Sequence, residues 1–529
     1  MIRVYEVKLA IEEDLRLLKE KIAKKLKISP LQIMDCRVFK ESIDARKKNE
    51  ISFVYIVDVQ VEDEAKVLRR NKNLQKSPLA NYQEVKSGDK ILHYRPIVIG
   101  TGPAGMFAGL LLAQRGYKPI LLERGQDVAT RANDVAEFWS HRKLNTESNV
   151  QFGEGGAGTF SDGKLTTRIK DIRSQKVLEE FVSAGAPPEI LYAYKPHIGT
   201  DILKSVVKNI RQQIITLGGE VRFGSKVTDF CVTNGQITSV IINNAEQLAA
   251  DVVVLAIGHS ARDTYEMLDA NGIQLKQKPF SIGVRIEHPQ ELINIAQYGQ
   301  QAEYPRLGPA DYRLTYQSKL GRAVYTFCMC PGGMVVAAAS EADTVVTNGM
   351  SEYARDQLNA NSALLVQINT ADFNSDHPLA GVEFQRKWER AAFELGGANY
   401  SAPVQRLEDF LLDRPSARLG KVQPSYLPAV KCTELKKCLP EYVLEAMREA
   451  IVEMNKKLQG FALPDAVMTG VETRSSAPLR IERNSATMES INTRGLYPIG
   501  EGAGYAGGII SASVDGIKAA EKIIGSYKP

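Results

Sequence analysis

The pattern of apolar and polar positions divides the chain into segments of different period. Short, predominantly apolar runs such as Ile97–Ile99 and Asp251–Ile257 are typical of buried parallel strands, and helical segments separate them. This alternation predicts a doubly wound α/β domain. Residues 1–92 instead predict a small α+β domain of order strand, helix, strand, strand. Its elements are expected at Ile2–Leu9, Glu12–Leu26, Ile33–Phe39 and Ile51–Val61.

A third region, between Gln277 and about Met468, has longer strands and charged helices and is predicted to be an inserted α+β domain. Its centre is expected to be a hairpin, in which residues 324–330 and 334–340 flank Pro331-Gly332-Gly333. Strands are also expected at Glu220–Asp229 and Gln236–Asn243. The predicted division is 1–92 for the N-terminal domain, 93–276 and 469–529 for the two parts of the α/β domain, and 277–468 for the insertion, with the loop Asn71–Asp89 as the first boundary.

The most informative stretch is PIVIGTGPAGMFAGLLLAQRGYKPILLE, residues 96–123. It reads as a strand, a GxGxxG turn, a helix that begins at Pro103, and a second strand that ends at Glu123. Glycines in this pattern permit a tight turn, close approach of a pyrophosphate to the backbone, and close packing of helix on strand. The helix N-terminus attracts phosphates, and the acid suits a ribose. The stretch therefore predicts a site for the adenosine diphosphate part of FAD or NAD.

Two more glycine-rich stretches complete the predicted site. FGEGGAGTFSDGK, residues 152–164, removes side chains where the backbone must approach something flat or charged. GEGAGYAGG, residues 500–508, follows the predicted strand Leu496–Ile499 and begins the predicted helix Ile509–Ile524. The free N–H groups of that helix suit the pyrimidine end of a flavin, where reduction builds negative charge. Glu501 is placed to accept a ribityl hydroxyl, and the run Asp251–Ile257 is expected to close the nucleotide-binding sheet.

Length, charge and cysteine content limit the class of protein and the number of domains. The 529 residues allow two or three domains and carry a net charge of +5. Residues 1–95 hold 21 Lys and Arg against 15 Asp and Glu, which leaves the N-terminal domain basic. The first residues alternate like a strand rather than a signal peptide, no run suits a membrane span, and six scattered cysteines without a zinc-type spacing suit a reducing compartment. These features predict a soluble, cytoplasmic protein without a metal site.

Three segments together resemble the FAD-binding signature of the glutathione reductase superfamily: VIGTGPAGMFAG with Glu123, VVVLAIG, and YPIGEGAGYAGGI. FGEGGAGTFSDGKL, KPHIGTD, FCMCPGG, ETRSSAPLRI and GEGAGYAGGIISASVDG more narrowly resemble a bacterial family of uncharacterised FAD-dependent dehydrogenases, the NAD(P)/FAD-dependent oxidoreductases. The resemblance implies a Rossmann-like FAD domain of glutathione reductase type. No second GxGxxG with its own strand and acid occurs, which resembles the branch with one dinucleotide fold, including p-hydroxybenzoate hydroxylase and geranylgeranyl reductase types.

The resemblance and the glycine-rich stretches together nominate a set of cofactor-binding residues. Val227 matches the position whose backbone meets the adenine, and Glu501 stands where many superfamily members have Asp. The predicted cofactor residues are Gly100, Gly102, Pro103, Ala104, Gly105, Glu123, Arg124, Gly155, Gly156, Ala157, Val227, Gly258, Glu501, Gly507, Gly508 and Ile509.

FAD carries the electron chemistry, so few catalytic side chains are required. Lys164 is a candidate donor to reduced flavin or to an anionic substrate, with a structural salt bridge as the alternative. His197 is a candidate general acid, and a structural hydrogen bond is its alternative. Arg474 is a candidate partner of a carboxylate or phosphate. Cys328 and Cys330 fall on one face of a predicted strand, as buried structural thiols or as a redox pair facing one pocket.

The sequence thus predicts an FAD-dependent oxidoreductase that passes electrons between an unidentified organic substrate, anionic or unsaturated, and FAD. NADH or NADPH would visit as a transient reductant, a small molecule is the expected partner, and no membrane is involved. Two alternatives stay open: a flavin-carrying RNA-modifying or nucleic-acid-binding protein, and an electron-transfer protein that docks a redox partner through the basic N-terminal domain. The lack of an RNA motif or aromatic row in that domain argues against nucleic acid.

Overall fold

A computed structural model describes residues 1–71, 73–78 and 82–529. The N-terminal segment forms the predicted strand, helix, strand, strand order, in a sheet of order β2-β3-β1-β4. The helix begins later than predicted, since Asp14 caps a single 3₁₀ turn before it. The predicted boundary loop Asn71–Asp89 includes residues 72 and 79–81, which lie outside the described residues. The elements are β1 (Ile2–Ala10), α1 (Leu18–Leu26), β2 (Ile33–Asp44), β3 (Ser52–Val61), α2 (Glu64–Arg70) and β4 (Gln75–Lys76).

The next segment begins with the predicted strand, helix, strand unit. The single strand expected at Glu220–Asp229 is wrong, because the chain turns at Gly224, with φ 60°, and splits it in two. The elements are β5 (Ile97–Ile99), α3 (Pro103–Gln114), β6 (Ile120–Leu122), α4 (Val128–His141), α5 (Arg173–Ser183), α6 (Thr200–Thr216), β7 (Glu220–Arg222), β8 (Val227–Thr233), β9 (Gln236–Ile242), β10 (Glu246–Ala249), β11 (Val253–Leu255), α7 (Arg262–Ala270) and β12 (Leu275–Gln277).

The third segment builds a large, mainly antiparallel sheet. Its elements are β13 (Phe280–Pro289), α8 (Gln290–Tyr298), β14 (Thr315–Gln317), β15 (Ala323–Cys330), β16 (Met334–Ala337), β17 (Thr347–Met350), β18 (Asn359–Ile368), α9 (Ala380–Gly396), β19 (Ala402–Arg406), α10 (Leu407–Leu411), β20 (Val430–Cys432), α11 (Glu441–Lys457), β21 (Val467–Glu472) and β22 (Leu479–Ile481). Among the described residues, the sheet has the order β14-β15-β18-β13-β21-β19-β20. We call it the roof sheet.

The hairpin predicted around Pro331-Gly332-Gly333 is wrong. β15 pairs with β14 and β18, whereas β16 pairs with β17 in a separate sheet. The turn is held by distant partners, since Gly332 N–H donates to the Gln290 side chain at 2.7 Å and Gly333 N–H donates to the Asn359 carbonyl at 2.9 Å. Local turn chemistry therefore marks the reversal but does not decide which strands pair.

The chain ends with β23 (Leu496–Pro498) and α12 (Ile509–Ser526), which return to the α/β unit. The parallel sheet has the order β23-β11-β5-β6-β7. The expectation that Asp251–Ile257 closes this sheet is wrong, because β11 lies between β5 and β23 and the last strand takes the edge. The Rossmann-like α/β class is confirmed, while the division into domains stays a prediction. None of the helices in the described parts of the chain is both long and apolar enough to cross a membrane.

Candidate active site

A cavity of about 1680 Å³ lies between the carboxyl ends of the parallel strands and the roof sheet. Ligand pockets commonly have volumes of roughly 300–1000 Å³, so this one has room for a large cofactor and a second molecule. All three glycine-rich stretches reach its wall, as do β14 and β15 of the roof sheet. The cavity is continuous from the first GxGxxG turn to the roof, and that continuity defines the candidate active site.

The dinucleotide end has the close backbone contacts that the GxGxxG pattern predicts. Gly100 has φ 95°, and a Cβ there would lie 2.4 Å from the Ala256 carbonyl oxygen. A Cβ on Gly156 would lie 2.9 Å from the Cα of Gly102, so the second glycine-rich stretch packs directly on the first. Only glycine fits these positions without moving backbone. The N-terminus of α3 borders the cavity beside this contact, where it can bind a pyrophosphate.

We call the GxGxxG turn at residues 100–105 and the N-terminus of α3 the dinucleotide cradle. The helices α3 and α12 behind this cradle also require small residues. A Cβ on Gly105 would lie 2.0 Å from the Gly100 carbonyl oxygen, which is the predicted close packing of α3 on its strand. A Cβ on Gly516 in α12 would lie 2.1 Å from the Ala104 carbonyl oxygen. The two helices therefore touch backbone to backbone, and both of their N-termini are brought to one cavity.

Glu123 lines the cavity but is only 5% exposed, and both oxygens of its carboxylate already accept hydrogen bonds from the protein. One carboxylate oxygen accepts the N–H and hydroxyl of Thr101 at 2.9 and 2.8 Å. The other accepts the N–H groups of Gly125 and Gly153 at 2.9 and 3.0 Å. The acid thus ties the turn after β5, its own turn and the second glycine-rich stretch together.

Arg131 of α4 fixes the shape of the second glycine-rich stretch, a role that the sequence does not indicate. Its buried guanidinium donates to the carbonyls of Asn149, Val150, Glu154 and Gly156 at 2.7–2.9 Å. Burial lowers the pKa of Arg131 to about 10, so the side chain stays charged at neutral pH. The stretch is therefore held from behind by a rigid fork of donors.

Arg124 lies on the cavity wall at the end expected for adenosine, where it forms a charged cluster with its neighbours. It donates two hydrogen bonds to Asp263, at 2.8 and 2.9 Å, and one to Glu147 at 2.8 Å. Its guanidinium lies over the Phe152 ring, 4.1 Å from the centroid. Lys226 pairs with the same two acids. The cluster borders Val227, the predicted adenine position, which also lines the cavity.

At the other end, Glu501 faces the cavity next to the N-terminus of α12. Its backbone carbonyl accepts the Gly504 N–H at 2.9 Å, whereas its carboxylate accepts no hydrogen bond from a described residue. Burial raises the pKa of Glu501 to about 7, and the charge of Lys278 opposes that rise. An acceptor of this kind needs a hydroxyl or amide partner, as the predicted ribityl contact would supply.

Most of the predicted cofactor residues meet at this one cavity, which their separation in sequence did not guarantee. Gly105 and Gly155 instead pack behind it, where a Cβ would strike Gly100 and Thr159. The predicted residues on the cavity wall are Gly100, Gly102, Pro103, Ala104, Glu123, Arg124, Gly156, Ala157, Val227, Gly258, Glu501, Gly507, Gly508 and Ile509.

The three catalytic candidates have different surroundings. Lys164 lines the cavity, and its Nζ lies 3.5 Å from Asp162 Oδ2. His197 stacks on the Tyr353 ring and shares a 3.1 Å hydrogen bond with its carbonyl, outside the cavity lining formed by the described residues. Burial, followed by the charge of Arg355, lowers the pKa of His197. These contacts fit the structural alternative for His197 better than an acid at the reacting centre.

Arg474 reaches the cavity wall, yet its charge is directed to protein partners. It donates to Glu389 at 2.9 and 3.1 Å and to the Ser340 hydroxyl at 2.5 Å. Glu389 is fully buried and also accepts two hydrogen bonds from Arg262. Burial and the neighbouring charge of Arg262 lower the pKa of Arg474. The role of Arg474 as an anion ligand stays a prediction that competes with this buried network.

Cys328 and Cys330 both line the cavity, as predicted, but not because of simple strand alternation. The pairing of β15 with β18 is irregular between Phe327 and Cys330, and Cys328 has φ 42°. Cys328 has surface that is open to the cavity. The protein atoms around it still desolvate the thiol, and this desolvation raises the thiol pKa to about 12. Both thiols are therefore protonated at neutral pH, which favours the structural interpretation.

Two further residues at the site were missed from the sequence. Arg285, fully buried on β13, pairs with Glu472 at 2.5 Å and donates to the Cys328 carbonyl at 2.8 Å. His259, directly after Gly258, donates from Nε2 to the Arg474 carbonyl at 2.8 Å. Burial lowers the pKa of His259 to about 4, so the ring is neutral. Only the position of His259 after a predicted strand and glycine could have signalled its role.

Comparison with families of known sequence agrees with this arrangement. Residues 98–154 match the NAD(P)-binding Rossmann-like domain, and residues 279–475 match the family described as FAD-dependent protein, C-terminal domain-like. Residues 1–60 match a domain of unknown function. The match over residues 279–475 covers the roof sheet and much of the cavity wall.

Whole-chain and partial relatives were also found. A protein of Clostridium beijerinckii described as uncharacterized is 55% identical over 99% of both chains. Digeranylgeranylglycerophospholipid reductase of Haloferax volcanii is 29% identical over 196 residues, which are 37% of this chain and 42% of that enzyme. Among solved structures, glycine oxidase from Bacillus cereus has a TM-score of 0.35 at 11% identity, covering 81% of this chain and 97% of that one. CtdE in complex with FAD has a TM-score of 0.30 at 12% identity, covering 83% of each.

Proposed function

The chain belongs to a family of FAD-dependent oxidoreductases, and from its cavity we propose that it passes electrons between FAD and an organic substrate bound under the roof sheet. The observation that carries the proposal is the continuity of the cavity, which joins the cradle at Gly102 to the roof strand that holds Cys328. A nucleotide-binding protein without a second substrate would not need the roof. We further propose the glutathione reductase type of FAD domain, in its branch with one dinucleotide fold.

The residues present fit FAD along its whole length. Gly102, Gly156 and the N-terminus of α3 border the cavity where the pyrophosphate would bind, and a side chain on Gly156 would clash with the Gly102 backbone. Glu123 and the Arg124 cluster suit the adenosine end. Glu501 offers a half-buried carboxylate without a partner among the described residues, suited to a ribityl hydroxyl. Bound FAD would supply the electron transfer, and this chain's residues would position the substrate and exclude water.

The α12 N-terminus is the group best placed to stabilise negative charge. Gly507, Gly508 and Ile509 line the cavity, and the first N–H groups of the helix have no intrahelical partners. Asp515, one turn and a half further on, accepts the Gly500 N–H at 2.8 Å and pairs with Arg483, which fixes the preceding loop. These donors are preorganised, so charge that develops beside them needs little rearrangement.

The proposal is tested by anaerobic reduction of the purified, flavin-containing protein. We expect NADH or NADPH to bleach the flavin, with reoxidation by an organic acceptor. A flavin that stays oxidised with both nicotinamides but is reduced by an organic donor would place the protein among dehydrogenases that are reduced by their own substrate. Flavin that no small molecule reduces or reoxidises would contradict the proposal and favour the partner-docking alternative.

A further inference from the structure

Lys164 lies on the wall of the cavity, and its ammonium group has no hydrogen-bond acceptor among the described residues. Its Nζ atom is buried, and no residue among 1–71, 73–78 and 82–529 accepts a hydrogen bond from it. The side chain as a whole is 29% exposed, because its stem borders the cavity. A buried ammonium without an acceptor is costly, unless something that binds in the cavity supplies one.

The carboxylate beside Lys164 cannot fill that role alone. Asp162 accepts hydrogen bonds from Arg355 Nε and Nη2 at 2.9 and 2.6 Å, and from the Ser351 hydroxyl. Burial raises the pKa of Asp162, but the charges of Lys164 and Arg355 outweigh it and the net pKa is lowered. Asp162 is therefore ionised. One carboxylate lies between two cations, and the cluster of Lys164, Asp162 and Arg355 carries one net positive charge.

The roof side of the cavity presents apolar and aromatic side chains among polar ones. Phe327, Tyr312 and Val324 line the same cavity, as do the protonated thiols of Cys328 and Cys330. The positive charge of Lys164 acts on both of these thiols, which belong to β15. A ligand that satisfies Lys164 would thus have its charged end between the glycine-rich stretch and β15, and its remainder against apolar and aromatic side chains.

We propose that Lys164, positioned by Asp162 and Arg355, binds the carboxylate of a substrate whose remaining body is apolar. A carboxylate carries one negative charge and neutralises the cluster, whereas a phosphate monoester carries about −1.5 to −2 at neutral pH and would overcompensate it. This inference names the substrate class of the proposed oxidoreductase and rests on that proposed function. It gives Lys164 a role in the oxidised, ground-state complex, separate from any effect on reduced flavin.

The test uses the FAD-containing full-length protein and octanoate as the probe, with octanol as its neutral counterpart. Binding is followed by the change in the flavin visible spectrum and by calorimetry, after FAD content is measured for each variant. The variants are K164Q, which removes the charge, and K164R, which keeps it. K457Q is the matched control, because Lys457 lies on the wall of the same cavity but donates to the Thr315 carbonyl, away from Asp162.

We expect octanoate to bind the wild type, with affinity about tenfold or more weaker in K164Q and within about threefold of wild type in K164R and K457Q. Octanol should bind wild type and K164Q equally. Octanoate affinity unchanged by K164Q, no saturable octanoate binding, or tighter binding of inorganic phosphate would each overturn the inference. A changed flavin potential in K164Q with unchanged octanoate affinity would also overturn it, in favour of a role toward reduced flavin. A wild type without FAD would instead contradict the proposed function itself.

Discussion

The backbones of Gly102 and Gly156 meet: a Cβ on Gly156 would lie 2.9 Å from the Cα of Gly102. Gly156 has φ 61°, so alanine there meets both backbone strain and a backbone clash. We expect G156A to lose most of its FAD. G272A is the matched control, since Gly272 has φ 69° but its Cβ would enter open space. FAD per chain after gel filtration checks this, and equal FAD retention by the two variants would contradict the role assigned to the contact.

Arg131 should control FAD retention without touching the cofactor. Lysine cannot reproduce a planar fork that donates to the carbonyls of Asn149, Val150, Glu154 and Gly156. We expect R131K to weaken FAD binding by about tenfold, the effect of losing about 1.4 kcal/mol, and to speed amide exchange in residues 149–156. R142K, a conservative change at an exposed arginine just after the same helix, should retain FAD. Unchanged exchange in 149–156 would show that the loop does not depend on Arg131.

Glu389 should matter for stability more than for chemistry. It is fully buried between Arg262 and Arg474, whose charges outweigh burial and lower its pKa. We expect E389Q to lose about 3–5 kcal/mol in urea unfolding, because two buried guanidinium groups lose the carboxylate between them and share only Glu341, which lies 2.5 Å from Arg262 and 3.9 Å from Arg474. E383Q, on the exposed face of the same helix, should change stability by less than about 0.5 kcal/mol. Similar stabilities for E389Q and E383Q would reopen a ligand-binding role for Arg474.

The lowered pKa of Glu389 also predicts how folding stability changes with pH. A folded-state pKa below the unfolded value adds stability that is present near neutral pH and is lost as pH falls. Wild-type protein should therefore lose more stability than E389Q between neutral and acidic pH. Parallel stability curves for the two proteins would contradict the buried ion-pair assignment.

Glu501 should give the apoprotein a pH dependence of folding stability opposite in sign to that of Glu389. Its pKa is raised to about 7 by burial, so its contribution is present below the ordinary glutamate pKa and is lost as pH rises through about 7. We expect the wild-type apoprotein to lose on the order of 1–3 kcal/mol more than E501Q between acidic and slightly alkaline pH. E246Q, at an exposed glutamate of β10, should keep the wild-type dependence. Identical pH profiles of wild type and E501Q would refute the assignment.

The spacing of the first glycines was enough to predict a strand, a tight turn and a closely packed helix beside the cavity. Gly100 needs a positive φ, and Gly105 needs room for the strand beneath it. Local signals failed where partners are distant. The Pro331-Gly332-Gly333 turn is held by Gln290 and Asn359, so its strands do not form a hairpin. β11 also lies inside the sheet rather than at its edge, since the last strand returns beside it.

Buried arginines were the main residues that the sequence could not reveal. Nothing local distinguishes Arg131 or Arg285 from a surface arginine, because their roles depend on which carbonyls and carboxylates the folded chain brings to them. Lys164 was found from its place beside the glycine-rich stretch, but its lack of an acceptor appears only once Asp162 and Arg355 are seen to pair. Spacing thus predicts where the cofactor binds, whereas the proposal for the substrate side depends on tertiary contacts.

The central claim is that the chain binds FAD along the cavity between Gly102 and Glu501. The most direct test is the visible absorption spectrum of the purified protein, followed by identification of the chromophore released on denaturation. We predict a flavin spectrum and about one FAD per chain, the stoichiometry of a single dinucleotide cradle. Protein without flavin, which also fails to take up FAD on reconstitution, would contradict the account.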